Sequence, residues 1–482
     1  MLDYYKEKYK VRLGLLPTRR NLNRPTLFNR DFAIAEKEKV EQYLTANAVD
    51  YVNLDFLNEE GLIFDSVDAD TVVEHFRARG VNAIFAPHCN FGTEDAVAKV
   101  AKKMGVPLLI WGPRDEAPEP NVNRPRDSQC GLFATSRVLK VFGVPFSYIT
   151  NCHISDDTFD VGFKNFMAAA AVVKSFKGMR IGQIGVRPAS FWSVKCNEEE
   201  LLERFGIEVI PITVQDLRRM MDTTLEENLP EVTAEINSIR SRVDSIEIGD
   251  EALVRVACMK LAIHRWAKAE NLSSAAVFCG GGIRQLTGIM PCFAMAELTD
   301  DGFPAICETD IHGCISAVMA LAASKLDTSV FLADLTIRHP NNDNAELLWH
   351  CGVFPLSLKK QGARTAVTNH YGSGLPGAAK WEIKGGNMTL MRFDGTVGDY
   401  RLLVTKGKGV DGPETNGTYV WVEFKDWPEL EHRLIYGPYI HHCVGVHSDI
   451  VPALYEAARY IPGLATDMVD PTAQEIEKYL RG

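Results

Sequence analysis

Eight of the 12 histidines in this 482-residue chain lie between positions 312 and 447, and His441, His442 and His447 fall within the single stretch "IHHCVGVH". Two acids precede them at the ends of strand-like runs, Glu308 after "FPAIC" and Asp334 after "SVFLA". Ligands of open α/β sheets bind beyond the carboxyl ends of strands, so both acids stand where a site would form. Carboxylates combined with imidazoles make a mixed oxygen and nitrogen donor set suited to Mn²⁺, Co²⁺, Fe²⁺ or Zn²⁺. Taken singly, an Asp after a strand caps a turn and a buried His fills a hydrogen bond in a core. The clustering of both types in one stretch is what raises a site above those readings.

Other chemistry is weaker. The 11 cysteines are scattered, with no CxxC pair, and read as reduced, packed thiols rather than a zinc finger. "CGGGIRQLTG" (279–288) offers backbone amides to an anion but lacks the lysine of a P-loop and the GxGxxG spacing, so a strand-to-helix turn is the plainer reading. Arg19 and Arg20 in "PTRR" follow a strand and are either surface residues or contacts for substrate hydroxyls. There is no nucleophile elbow and no HExxH.

The elements that must position these groups follow from hydrophobic periodicity. "VNAIFAP", "GTEDAVAKVAKKMG" and "VPLLIWGP" give a β-α-β rhythm, with acids in the first turn of the helix and lysines in its last. That rhythm implies a parallel sheet with helices on its faces. A polar, proline-rich loop at 114–129 is long enough to be functional. A second α/β unit runs through "NFMAAAAVVKSFKG", "MRIGQIGVRP", "IEVIPIT" and the long helix at 250–271. After about 355 the pattern changes to steps of two in "KWEIKGGNMTLMRFDG", "YRLLVTKGKGVDG" and "TYVWVEFKDW", the mark of antiparallel strands in a barrel or sandwich. The expected organisation is two parallel-sheet, Rossmann-like α/β domains, 1–155 and 156–354, then a β-rich, barrel-like domain over 355–482.

A net charge of −11 excludes the basic footprint that nucleic acids require. No apolar run reaches the ~20 residues of a membrane span. The N-terminus has no apolar core before its charges, so no signal peptide is expected and the chain reads as cytoplasmic.

"ETDIHGCISAVMALAAS", "FLADLT", "WHCG" and "IHHCVGVHS", together with "GPRDEAPEPNVNRPRDSQCGLFATSRVL" upstream, resemble the L-fucose and L-arabinose isomerase family in order and interval. The resemblance runs from about residue 80 to 450. It implies an aldose–ketose isomerase that uses a divalent cation, Mn²⁺ first and Co²⁺ or Mg²⁺ as substitutes, and assembles as a homo-hexamer. It also implies an N-terminal α/β domain, a central one and a C-terminal β-barrel. By the same resemblance Glu308 and Asp334 are catalytic and ligate the metal, and His442 is the third ligand. His350 is an implied substrate contact, His441 and His447 would either support the ligands from behind or touch substrate, and Arg19 and Trp111 are further candidate substrate contacts. The second acidic site reads Ala333-Asp334, closer to the fucose type than to the paired acids of arabinose isomerases.

An aldose's C2 proton is too weakly acidic for an unaided carboxylate, so charge stabilisation by a metal beside two acids suits the reaction. The substrate class is a free monosaccharide: a deoxyhexose, a pentose or a modified hexose. One alternative is a C6-modified anionic hexose such as a sulfonated sugar, with Arg19, Arg20, Arg114 and Arg284 available to its tail. The other is a sugar-binding protein of this fold without catalysis.

Overall fold

The computed structural model describes residues 2–22, 27–120 and 124–481. The chain forms two compact units, one of residues 10–174, 452–461 and 473–482, the other of residues 1–9, 175–451 and 462–472.

The first unit is built on a five-stranded parallel sheet of β1 (Leu13–Leu15), β2 (Tyr51–Val52), β3 (Ala83–Pro87), β4 (Leu108–Trp111) and β5 (Ser147–Tyr148), in the order β2-β1-β3-β4-β5. The expected helix between β3 and β4 is present as Glu94–Met104, with Glu94 and Asp95 in its first turn, Lys102 and Lys103 in its last, and Gly105 left-handed behind it. That charge order opposes the helix dipole at both ends. Phe76, Ile84, Val97 and Ile110 pack between sheet and helices. The chain end belongs to this unit as well, since the Tyr460 hydroxyl donates to the Leu108 carbonyl at 2.9 Å and Thr150 donates to the carbonyl of Arg481.

The expected boundary at 155/156 does not separate packed bodies. The helix Asp157–Phe176 lies with the first sheet, where Tyr43 donates to Asp160 at 2.9 Å and Phe159 meets Trp111 edge-on at 4.7 Å. Its apolar face is equally suited to either sheet by pattern alone, and the aromatic contacts decide the matter.

The second unit holds a four-stranded parallel sheet of β6 (Arg180–Ile184), β7 (Glu208–Ile212), β9 (Ser274–Val277) and β10 (Ala305–Cys307), in the order β10-β9-β6-β7. The short β8 (Ser245–Ile246) pairs elsewhere, at the edge of a ten-stranded sheet. That sheet contains β11 (Val330–His339), β12 (Asn342–His350), β13 (Ala366–Asn369), β14 (Pro376–Glu382), β15 (Gly386–Thr396), β16 (Asp399–Val410), β17 (Thr418–Glu423), β18 (His442–Val446) and β19 (Leu464–Asp470). Six of its strands run antiparallel in the order β16-β15-β18-β11-β12-β17, and β17 pairs with β16 again, closing a barrel. Closure removes the exposed edges that an open sheet of this size would carry.

The barrel draws in β11 and β12, which the expected boundary at 354/355 assigns to the central domain. "SVFLAD" is a short apolar run, and such a run fits a buried parallel or antiparallel strand equally well. Among the described residues no helix is long and apolar enough to cross a membrane.

Candidate metal and catalytic site

The site grows from the turn that ends β10. Glu308 and Thr309 both adopt left-handed backbone, with φ of +63° and +59°. Each non-glycine residue in this region costs on the order of 1–3 kcal/mol, so the surrounding contacts must hold the turn in place. The next residue, Asp310, caps the helix Ile311–Ala323 by accepting from the Gly313 amide at 2.9 Å. A side chain at 313 would place its Cβ 2.7 Å from Asp310 Oδ2, so only glycine admits the capping carboxylate. The tight turn sends Glu308 and Asp310 toward the same strand of the barrel.

That strand is β18. Asp334 on β11 lies directly opposite His442 on β18, and direct partners in an antiparallel pair share a face. His442 Nε2 is 3.1 Å from Glu308 Oε2 and 3.4 Å from Asp334 Oδ1. His350, at the end of β12, brings its Nε2 to 4.0 Å from the same Asp334 oxygen. Glu308 Oε2, Asp334 Oδ1, His350 Nε2 and His442 Nε2 are all buried without an aligned hydrogen-bond partner. Leaving one buried polar atom unpaired costs about 1–3 kcal/mol, and four converging on one point form a cradle built for something else. Two carboxylate oxygens and imidazole nitrogens fit a hard or borderline divalent cation.

A second layer of charge holds the first. His442 Nδ1 stands 2.9 Å from Asp310 Oδ2, a contact that directs Nε2 toward Glu308 and Asp334. Arg392, fully buried on β15, donates through both terminal nitrogens to Asp310 and through Nε to Asp394 Oδ2 at 2.8 Å. Asp394 also meets His312 Nδ1 at 2.8 Å. Burial works against an ionised Asp310, yet the charges of Arg392 and His442 win and hold it well below the usual carboxylate range. Burial likewise disfavours a charged His442, but Asp310, Glu308 and Asp334 outweigh it and lift the imidazole up to about 9. For His350 the same contest is decided by Asp334, Cys351 and Glu308, which lift it to about 10. His441 goes the other way, lowered by burial and by the neighbouring His442.

The structure thus gathers Glu308, Asp334, His350 and His442, with His441 at the rim. His441 has a half-exposed side chain whose Nε2 is 3.9 Å from Asp334 Oδ1. His447 lies beyond the far end of β18, where its Nε2 is 2.9 Å from the Lys384 carbonyl. Arg19 and Trp111 lie in the first unit. Arg19 is buried in a two-pronged pair with Glu60 at 2.6 and 3.1 Å, and Trp111 is fully enclosed beside Phe85 and Phe159. Arg20 pairs with Glu94 in that unit too.

Sequence reasoning missed Asp310, Arg392, Asp394 and His312. Asp310 carried a signal, an acid immediately before a helix and two residues from Glu308. The alternating β15 pattern gives no hint that Arg392 turns inward. Two aromatic residues beside the site were missed as well. Trp349, directly opposite Asp334, meets the exposed Tyr371 edge-on at 5.7 Å.

Residues 14–177 match the family described as fucose/sulfoquinovose isomerase, N-terminal domain. A sulfoquinovose isomerase of Alkalicoccus urumqiensis is 27% identical over 383 residues, covering 78% of this chain and 84% of that protein. The sulfoquinovose isomerase of Priestia aryabhattai is 24% identical over 437 residues, covering 89% of this chain and 95% of its own. One from Clostridium sp. is 21% identical, covering 70% and 74%. These relatives span both units, and the acids and histidines of the motifs meet in one barrel-side cluster; the chain is similar to sulfoquinovose isomerases over most of its length and is a sugar isomerase.

Proposed function

We propose that the protein is a metal-dependent aldose–ketose isomerase whose substrate is a sulfonated hexose, and that Glu308, Asp334 and His442 hold the cation. The observation that carries this reading is the convergence of unpartnered, buried oxygen and nitrogen atoms from three elements of the second unit. Bound there, a divalent ion, Mn²⁺ first and Co²⁺ or Mg²⁺ as substitutes, supplies Lewis-acid stabilisation of negative charge on sugar oxygens.

The chain's own groups do the rest. Glu308 and Asp334 are carboxylates beside the reacting carbons, able to take a proton from C2 and return one to C1. Asp310 fixes His442 with Nε2 turned toward the two acids. His350, held charged by its neighbours, is a hydrogen-bond donor for a sugar oxygen. His441, at the rim and favoured neutral, is a further substrate contact.

The sulfonated substrate is favoured over a neutral sugar by the relatives, all sulfoquinovose isomerases. Of the four arginines considered for an anionic tail, Arg284 shares the unit of the site. Its Nε donates to the Cys279 carbonyl at 3.0 Å, on the turn after β9, the strand next to β10 and Glu308. We assign it the sulfonate. A cytoplasmic homo-hexamer completes the reading.

The test is turnover of sulfoquinovose and of L-fucose by chelator-treated and Mn²⁺-restored protein. Expected are metal-dependent turnover, preference for the sulfonated sugar, and a raised KM for that sugar alone in Arg284→Met. Equal turnover after verified metal removal refutes the metal role, and a preference for L-fucose refutes the substrate.

A further inference from the structure

Beside the oxygen and nitrogen cluster two thiols touch that the isomerase chemistry does not use. Cys351 follows β12 and comes directly after His350, while Cys292 opens the helix Cys292–Asp300. Their sulfurs are 3.7 Å apart, and both thiols are free. They differ in access: Cys292 is fully buried, whereas Cys351 is partly exposed. Cys351 is also tied to the site. Its amide donates to His350 Nδ1 at 2.9 Å, and its sulfur is 3.3 Å from the same nitrogen. On its other side Gly352, with φ of +116°, lies against β14, where a Cβ would fall 2.5 Å from the Ala379 backbone nitrogen.

We propose that Cys351 is a site of peroxide modification with Cys292 as its resolving partner, so that oxidation links the two and shuts the site. The oxidant is a hydroperoxide of the hydrogen peroxide class. The more accessible Cys351 sulfur takes one peroxide oxygen: the O–O bond breaks, an S–O bond forms, the sulfur gives up two electrons and water leaves. The buried Cys292 sulfur then attacks that sulfenic sulfur. The S–S bond forms, the S–O bond breaks and a second water leaves. In balance, two thiols lose two hydrogens and one peroxide becomes two waters. A dithiol reductant reverses the link by exchange. Bonded sulfurs stand about 2.0 Å apart, so closure draws the pair together by roughly 1.7 Å. Cys292 is held in a buried helix end and Gly352 has no room beside Ala379, so the shift passes to His350. His350 then leaves its position 4.0 Å from Asp334. The effect on turnover rests on the isomerase reading above, in which His350 contacts substrate; the cross-link does not.

The experiment uses the full chain, reduced, freed of reductant and treated with hydrogen peroxide. Peptide mapping by mass spectrometry should find a Cys292–Cys351 disulfide. Sulfoquinovose turnover should be lost in proportion to the linked fraction and return with dithiothreitol. Cys292→Ser should turn over normally before treatment, form no link, and carry a dimedone adduct on Cys351 after it. The wild-type mapping needs no variant to fold. Absence of the link at full peroxide dose, a link from Cys351 to Cys307 in its place, or a dimedone adduct on another cysteine instead of Cys351 overturns the proposal. A complete link with unchanged turnover overturns the shutting of the site. A link formed by protein that turns over no sugar even when reduced supports the modification and counts against the isomerase reading.

Discussion

Two charged clusters lie side by side in the second unit and share the contact between His442 and Asp310. In one, Arg392 is surrounded by Asp310 and Asp394, Asp394 is paired with His312, and both carboxylates are satisfied, with His312 Nε2 the one atom of the four side chains left without a partner. In the other, Glu308, Asp334, His350 and His442 point unpartnered atoms at one another. Burial is similar in both, so burial does not separate scaffold from site. Saturation does. A cluster whose donors and acceptors match has already spent its interactions on the fold. One with a surplus of acceptors keeps them for a ligand.

The largest effect expected from breaking this contrast is on catalysis. Glu308→Gln and Asp334→Asn should lower turnover about 100- to 10,000-fold, the usual range for loss of a general acid or base. Excess Mn²⁺ should not restore them, while thermal stability should hardly fall. If either variant keeps near-normal turnover, the unsaturated cluster is not the site.

The saturated cluster should answer the opposite way. Arg392→Met leaves Asp310 and Asp394 buried without their cation, which should cost about 3–5 kcal/mol of stability. Chemical denaturation of the barrel unit, followed by tryptophan fluorescence, reads it. A loss below ~1 kcal/mol would mean the cluster is not the scaffold described above.

Glu346 sharpens the rule from outside both clusters. It is buried on β12 with Oε2 unpartnered, and among the described residues it joins no group of three or more metal-ligating side chains. Burial pushes its carboxyl up to about 7, against Arg338 and with help from Glu431. With a folded pKa above the unfolded one, the protonated form is favoured in the fold. Its stabilisation is complete below the ordinary carboxylate range and is lost as pH rises through about 7. Glu346→Gln should therefore stabilise the protein at pH 8 by up to roughly 3 kcal/mol and change nothing at pH 4. Melting curves at the two pH values decide, and an activity loss in this variant would show that a lone unsaturated atom can also mark a site.

The shared contact should give the smallest effect. Asp310→Asn keeps shape and weakens the hold on His442, so Mn²⁺ affinity should fall roughly 10- to 100-fold and recover at high Mn²⁺. In the parent protein the His442 imidazole, lifted to about 9, must lose its proton before it can ligate. Affinity should rise about tenfold per pH unit below that value and level above it. The plateau should move to lower pH in Asp310→Asn, since the carboxylate that raises the imidazole is gone. Calorimetric titration of Mn²⁺ across pH measures both.

The local sequence determined a good deal here. Charge order marked the helix Glu94–Met104, steps of two marked the barrel strands after 376, residue type and position after strands marked Glu308 and Asp334, and the family resemblance picked His350 and His442 from the clustered histidines. These are properties of a residue and its near neighbours, and periodicity reports them directly. Partner choice is not such a property. A period of two says which side chains share a face but not which strand lies alongside. The membership of β11 and β12 in the barrel, its closure between β16 and β17, and the inward turn of Arg392 therefore waited for the fold. The left-handed turn at Glu308 and Thr309 carries no glycine to announce it. Long-range pairing, burial and saturation are tertiary quantities, and here they turned a scatter of acids and histidines into a site.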